Sequence, residues 1–103
     1  MLRVQVKAKQ RREWRNVKGI GKEDIMIFVD YENKATERPD FYILTFDDWK
    51  KLVKKKVGWD KGVELDKDTY TAHWSDWDGI EIAKFQLKDH FEKWDKIKSI
   101  VGT

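Results

Sequence analysis

Apolar and polar residues alternate from position 2 to 9, as Leu2-Arg3-Val4-Gln5-Val6-Lys7-Ala8-Lys9. A period of two belongs to a strand with one buried face, and it predicts a strand over 2–9 with Leu2, Val4, Val6 and Ala8 toward the core. From Arg11 to Lys22 the alternation stops and Gly19 and Gly21 enter, so this stretch reads as a loop. Ile25-Met26-Ile27-Phe28-Val29 is then a continuous apolar run, which suits a strand over 24–31 that is covered on both faces and central in its sheet. Asn33, Lys34 and Pro39-Asp40 mark a turn. Phe41-Tyr42-Ile43-Leu44 makes a third strand, 41–45, antiparallel to the second because the connection is short.

The pattern then changes to a helical one. Thr45 stands three residues before Asp48, acids fill the first turn at Asp47 and Asp48, and Lys50, Lys51, Lys54, Lys55 and Lys56 crowd the end. Phe46, Trp49, Leu52 and Val53 fall on one face, so a helix over 46–57 packs on the sheet, and Gly58 stops it. Residues 59–79 are irregular, with Trp59, Trp74 and Trp77 among Gly, Asp and Thr and a short strand at Thr69-Tyr70-Thr71. Ile80-Glu81-Ile82-Ala83 is a brief strand, and Leu87, Phe91, Trp94, Ile97 and Val101 predict a C-terminal helix over 86–101. The fold class is α+β, a small and mainly antiparallel sheet packed by two helices. A chain of 103 residues has room for one domain, 1–103, with one modest core.

Charge adds a feature that periodicity does not show. The net charge is only +3, yet residues 1–22 hold eight bases against the single acid Glu13, a local balance of +7 that leaves −4 for the rest. Clustered Lys and Arg gain affinity for a polyanion by releasing its counterions, so Lys9, Arg11, Arg12 and Arg15 are candidate contacts to DNA or RNA, with Trp14 stacking on unpaired bases. The plainer alternative is a solvated basic strand and loop. No cysteine is present, which excludes a disulfide scaffold, a thiolate zinc site and a Cys nucleophile, and reads most simply as a cytoplasmic protein. No apolar run approaches the roughly 20 residues of a membrane span.

Other chemistry is poorly supported. His73 and His90 are the only histidines and lack a third ligand at short spacing, which disfavours a zinc site. Ser75 and Ser99 have no nucleophile-elbow context, and Gly19-Ile20-Gly21-Lys22 lacks the spacing of a phosphate loop and reads as a turn. Trp49 and Trp94 belong to helical apolar stripes and read as core. Trp59, Trp74 and Trp77 read as packing of the loop over the sheet, with base stacking as the alternative.

Gln5 and Lys7 are two apart on one strand and project from the same face. An oxygen donor beside a lysine is what a metal-dependent phosphodiesterase uses, the oxygen on a hard cation and the ammonium on charge developing at phosphate. An amphipathic strand also carries Gln-Val-Lys by chance. The wider run does more: Val4-Gln5-Val6-Lys7-Ala8, a basic stretch with Trp14, Asp24 to Tyr31, and Pro39-Asp40-Phe41-Tyr42-Ile43-Leu44 before a helix. This run resembles the later half of PD-(D/E)XK nuclease-like domains over residues 2–57, with a weaker echo from Leu87 to Ile97.

The resemblance implies that Gln5 occupies the family's Glu-or-Gln position as a metal ligand, that Lys7 is its catalytic lysine, and that the cofactor is a divalent ion, usually Mg2+. It also implies an Asp from an earlier strand, which is missing before Met1, so the chain reads as the C-terminal part of a larger nuclease-like domain. An acid from elsewhere in the chain or from a second subunit replaces that Asp, or catalysis has been lost. Asp24, Asp30 and Asp40 flank strand ends and read as turn or cap residues. Mg2+ is therefore not expected to bind tightly to this chain alone, nor the chain alone to cleave nucleic acid. The alternatives are a non-catalytic nucleic-acid-binding module and an interaction domain. A first strand built to lie between two neighbours has lost one of them, so a homodimer through the N-terminal strand is expected.

Overall fold

The computed structural model describes residues 3–9, 12–32, 34 and 36–101; Leu2, Arg11 and Asn33 of the sequence reading lie outside the described residues. The strand predicted from the apolar run is β3 (Ile25–Asp30), and all six of its residues are buried. It lies between β1 (Val4–Lys9), which it pairs in parallel, and β4 (Asp40–Thr45), which it pairs antiparallel. The register sorts the side chains into two faces. Val4, Val6 and Ala8 share one with Ile25, Ile27, Val29 and Ile43; Gln5, Lys7 and Lys9 share the other with Met26, Phe28, Tyr42 and Leu44.

The larger core lies on the second face, where Met26, Phe28, Tyr42 and Leu44 meet Trp49 and Val53 of α1 (Phe46–Val57). The first face carries a smaller core of Ile25, Ile27, Val29 and Ile43, against which Phe41 and Ile97 pack. This reverses the orientation expected for β1. Val4, Val6 and Ala8 are exposed, Val6 to 60%, while Gln5 and Lys7 are half-buried and Lys9 is buried. A period of two says that a strand has two unlike faces but not which one is covered more deeply. Cover on the Val4 face comes from α2 (Asp95–Val101), which packs on β4 at the far side of the sheet.

The stretch expected to be a loop holds β2 (Glu13–Val17), paired antiparallel with β7 (Ile80–Ala83), itself an expected strand. Trp14 faces Ile82 and Val17 faces Ile80, with an irregular register between them. The extra residue of this bulge puts the two buried positions three apart, which hides the strand period. Asn16 takes φ 51° in the bulge and Gly79 opposite takes φ 97°. A Cβ on Gly79 would come to 2.5 Å from the Asn16 carbonyl carbon, so only glycine closes this corner.

Helix α1 follows the sequence expectation from end to end. Thr45 Oγ1 accepts from the Asp48 N–H at 3.2 Å and the Asp48 carboxylate accepts from the Thr45 N–H at 2.9 Å, closing a capping box. At the other end the Gly58 N–H donates to the Lys54 carbonyl at 2.9 Å. The short strand of the irregular middle is displaced from 69–71 to β6 (Ala72–His73), which pairs with β5 (Glu64–Leu65). Asp66 Oδ1 accepts the N–H groups of Asp68 and Thr69, and Tyr70 takes φ 54°, so those residues form a turn.

The C-terminal helix expected over 86–101 is divided. A 3-10 helix spans Lys84–His90, Phe91 is extended and bridges Tyr42, and α2 starts at Asp95. Glu92, at φ 53°, donates its N–H to the Phe41 carbonyl at 2.9 Å, so the free edge of β4 takes the backbone that a continuous helix would have used. Lys96 fastens the resumed helix, donating to the Asp48 carboxylate at 2.9 Å, to the Ile43 carbonyl at 2.9 Å and to His90 Nδ1 at 2.7 Å. The architecture is α+β, and among the described residues all strand pairings but β1–β3 are antiparallel.

Candidate functional site

Residues of β1 and β2 border an open cleft of about 1090 Å³, and Tyr31, just past β3, lines it as well. Lys7, Arg12 and Arg15 supply positive charge to it, Asn16 an amide, and Glu13 the one carboxylate of the lining. Burial, and then repulsion from Lys18, hold the Lys7 ammonium below its ordinary pKa. Among the described residues no carboxylate pairs with Lys7, Arg12 or Lys18, and Arg15 meets Glu81 only at 3.9 Å with both side chains exposed. A cluster of cations that outnumbers its carboxylate partners among the described residues has excess potential for an anion.

Two candidates from the same basic stretch border the cleft but are turned inward and tied into the protein. Trp14 is 3% exposed, with its ring set edge-on to Phe28 at 5.1 Å and to Tyr42 at 6.3 Å, and its indole N–H donates to the Lys7 carbonyl at 2.9 Å. A ring enclosed in this way has no face for a base, so the stacking expectation is overturned. Lys9 is 6% exposed, and its Nζ lies 3.0 Å from Asp30 Oδ1, 3.3 Å from Glu32 Oε1 and 4.7 Å above the Trp14 ring. Its charge is neutralised inside the protein, and the phosphate contact expected of it is withdrawn. Arg11 lies outside the described residues. Lys18 enters the sequence reading only as one of the eight bases of the first segment; Asn16 and Tyr31 were not foreseen, although Glu13-Trp14-Arg15-Asn16-Val17 would have placed Asn16 had it been read as a bulged strand.

Gln5 is half-buried on the face it shares with Lys7, but it does not line the cleft. The acids nearest in sequence are already engaged. Asp24 Oδ1 meets Arg3 Nε at 3.2 Å and its Oδ2 accepts from the Gly21 N–H; Asp30 holds Lys9; Asp40 lies 3.9 Å from Lys34. Among the described residues no three His, Asp or Glu side chains gather in a way that could hold a metal ion. A single carboxamide does not fit a Mg2+ site, which takes carboxylates and demands near-octahedral geometry. What this arrangement offers chemically is cationic and hydrogen-bonding contact to an anion.

A second cleft, of about 570 Å³, lies on the other side of Arg15 and Asn16 and is walled by Trp59, Trp74 and Trp77. Trp74 packs on the core, as expected for a loop lying over the sheet. Trp59 and Trp77 do not: they are 77% and 54% exposed, which overturns the packing expected of them. Among the described residues no helix is long and apolar enough to cross a membrane. No protein-family model, curated protein or solved structure matches this chain.

Proposed function

We propose that this chain is a nuclease-like domain that binds the phosphate backbone of nucleic acid in the cleft between β1 and β2 and does not hydrolyse it alone. The observation that carries the reading is the convergence of Lys7, Arg12 and Arg15 on one open cleft with Lys18 nearby and one acid, Glu13, in the lining. Lys7 is the member held most tightly by the fold, because its strand is paired to β3 and its own carbonyl accepts from Trp14. The test is fluorescence anisotropy with labelled oligonucleotides over a salt series. Each phosphate neutralised releases condensed counterions and contributes about 0.9 to the magnitude of the slope of log affinity against log salt on duplex DNA. Lys7→Ala, Arg12→Ala and Arg15→Ala are each expected to lower that slope by about one, and the triple variant by about three. Absence of binding at low salt, or slopes unchanged in the triple variant, overturns the reading. Incubation with labelled DNA and RNA in Mg2+ or Mn2+ is expected to leave the strands intact; cleavage abolished by Lys7→Ala would show that an acid does complete the site.

We also infer that a second copy pairs with the open edge of β1. Ile25 donates to the Arg3 carbonyl and Tyr31 to the Lys9 carbonyl, so in a parallel ladder the odd-numbered residues of β1 bond to β3. Val4, Val6 and Ala8 then carry their N–H and C=O groups on the outer edge, and their apolar side chains are exposed beside it. An edge of this composition is complementary to itself.

A further inference from the structure

Trp59 and Trp77 are large apolar rings left in solvent, yet each is held in place. The Trp59 indole N–H donates to the Lys56 carbonyl at the end of α1, at 3.1 Å. Trp77 lies against Trp74 at a centroid distance of 5.8 Å and an interplanar angle of 23°, and its carbonyl accepts from the Trp74 N–H at 2.9 Å, which closes a tight turn. Trp74 is fixed in turn by its indole N–H on the Gly79 carbonyl at 2.9 Å. Fixed aromatic faces turned to solvent are a stacking platform, since little conformational entropy remains to be lost when a planar ligand lands on them.

The position of the platform identifies the ligand. Arg15 and Asn16 line both the tryptophan cleft and the cationic cleft. They are the residues of the β2 bulge, and a bulge re-aims side chains that a regular strand would send to alternate faces. The corner is specifically built, with Asn16 at positive φ against a Gly79 that admits no side chain. A chain of alternating planar and anionic groups laid across it would rest phosphates on Lys7, Arg12 and Arg15 and a base on Trp77 or Trp59. The tryptophan cleft itself holds two carboxylates, Asp60 and Glu81, against Lys56 and Arg15, so it suits an uncharged base, while the phosphates fall to the cationic cleft.

We propose that the two clefts form one binding track for single-stranded nucleic acid, in which the tryptophans read the presence of an unpaired base. The proposal rests on the phosphate-binding reading of the cationic cleft and adds to it a substrate class. In a duplex the base faces are stacked on their neighbours and unavailable to Trp77, whereas every unpaired base offers one, whatever its sequence.

The test compares fluorescein-labelled dT12, U12 and a 12-base-pair DNA duplex by anisotropy at low salt, with unaltered protein, Trp77→Ala, Trp59→Ala, the double variant and Trp77→Phe. The single strands are expected to bind at least about tenfold tighter than the duplex, either sugar type supporting the proposal. The double alanine variant is expected to lose about 5- to 150-fold on single strands, the range of one base–aromatic contact, with duplex affinity unchanged and Trp77→Phe retaining most of the affinity. Melting curves check that the variants are folded, which the exposure of both rings predicts. Duplex binding as tight as single-strand binding, or single-strand affinity unaltered in the double variant, overturns this inference and leaves the phosphate reading standing. Failure of all three probes overturns both.

Discussion

Lys7 and Lys9 are two residues apart on one face of one strand, and the structure gives them opposite roles. Lys9 is enclosed with Asp30, which is itself 1% exposed, so removing the ammonium strands a carboxylate in the interior. Lys9→Ala is expected to cost about 3–5 kcal/mol in urea unfolding, the penalty of an unpaired buried charge rather than the worth of the pair. Lys7 has no ion-pair partner among the described residues, and Lys7→Ala is expected to change stability by less than about 1 kcal/mol while weakening oligonucleotide binding. Trp14→Ala is expected to unfold the chain by about 3–5 kcal/mol, because the indole fills space between Phe28 and Tyr42. If its folded fraction still binds nucleic acid as tightly as the unaltered protein, the ring has no part in recognition.

At the scale of elements, two histidines fasten segments with opposite responses to pH. His90 is kept below its ordinary pKa by burial and then by Lys96, with Asp48 and Asp89 acting in the other direction, so the neutral ring accepts from Lys96 in the clamp that joins α2 to α1. A depressed histidine costs stability as pH falls below about 6.5, where the unfolded chain takes up the proton first. His73 is raised by its hydrogen bond to Asp78 and by Asp66 and Glu64, against some burial, so the stability it adds to the β5–β6 hairpin is present at acid pH and fades as pH rises above about 6.5. Thermal melts from pH 8 to pH 5 are therefore expected to show His90→Gln gaining on the unaltered protein toward acid and His73→Gln losing. Parallel curves for the two variants would contradict this assignment. At the β2 bulge, Gly79→Ala is expected to cost roughly 2–3 kcal/mol from forced backbone strain and overlap.

The whole molecule measures 41 × 37 × 20 Å, and the short axis is about two packed layers. So thin a body has one fully enclosed core, on the α1 side, and a second that α2 covers only in part, which leaves Val6 60% exposed beside an open strand edge. Gel filtration with light scattering at tens of micromolar is expected to show a dimer of the 103-residue chain, and Val6→Lys a monomer. A monomeric unaltered chain at that concentration removes the edge-pairing reading without touching the cleft.

Local signals decided a good deal by themselves. The apolar run at 25–29, the Thr45–Asp48 box and the lysine-rich end of α1 are read within a few residues of themselves, and the central strand and helix follow from them. The basic first segment and the shared face of Gln5 and Lys7 were legible too, because a strand's period places neighbours two apart on one side. What the sequence did not hold was decided by partners distant in the chain. β7 turned a glycine-bearing stretch into a bulged strand and drew Trp14 inward, Asp30 took Lys9 out of solvent, and β4 divided the last helix by claiming the Glu92 N–H. Local sequence decides which backbone conformation and which pair of faces a segment has. Which face is buried, and which of several equal charges is left for a ligand, depends on what the rest of the chain lays against it.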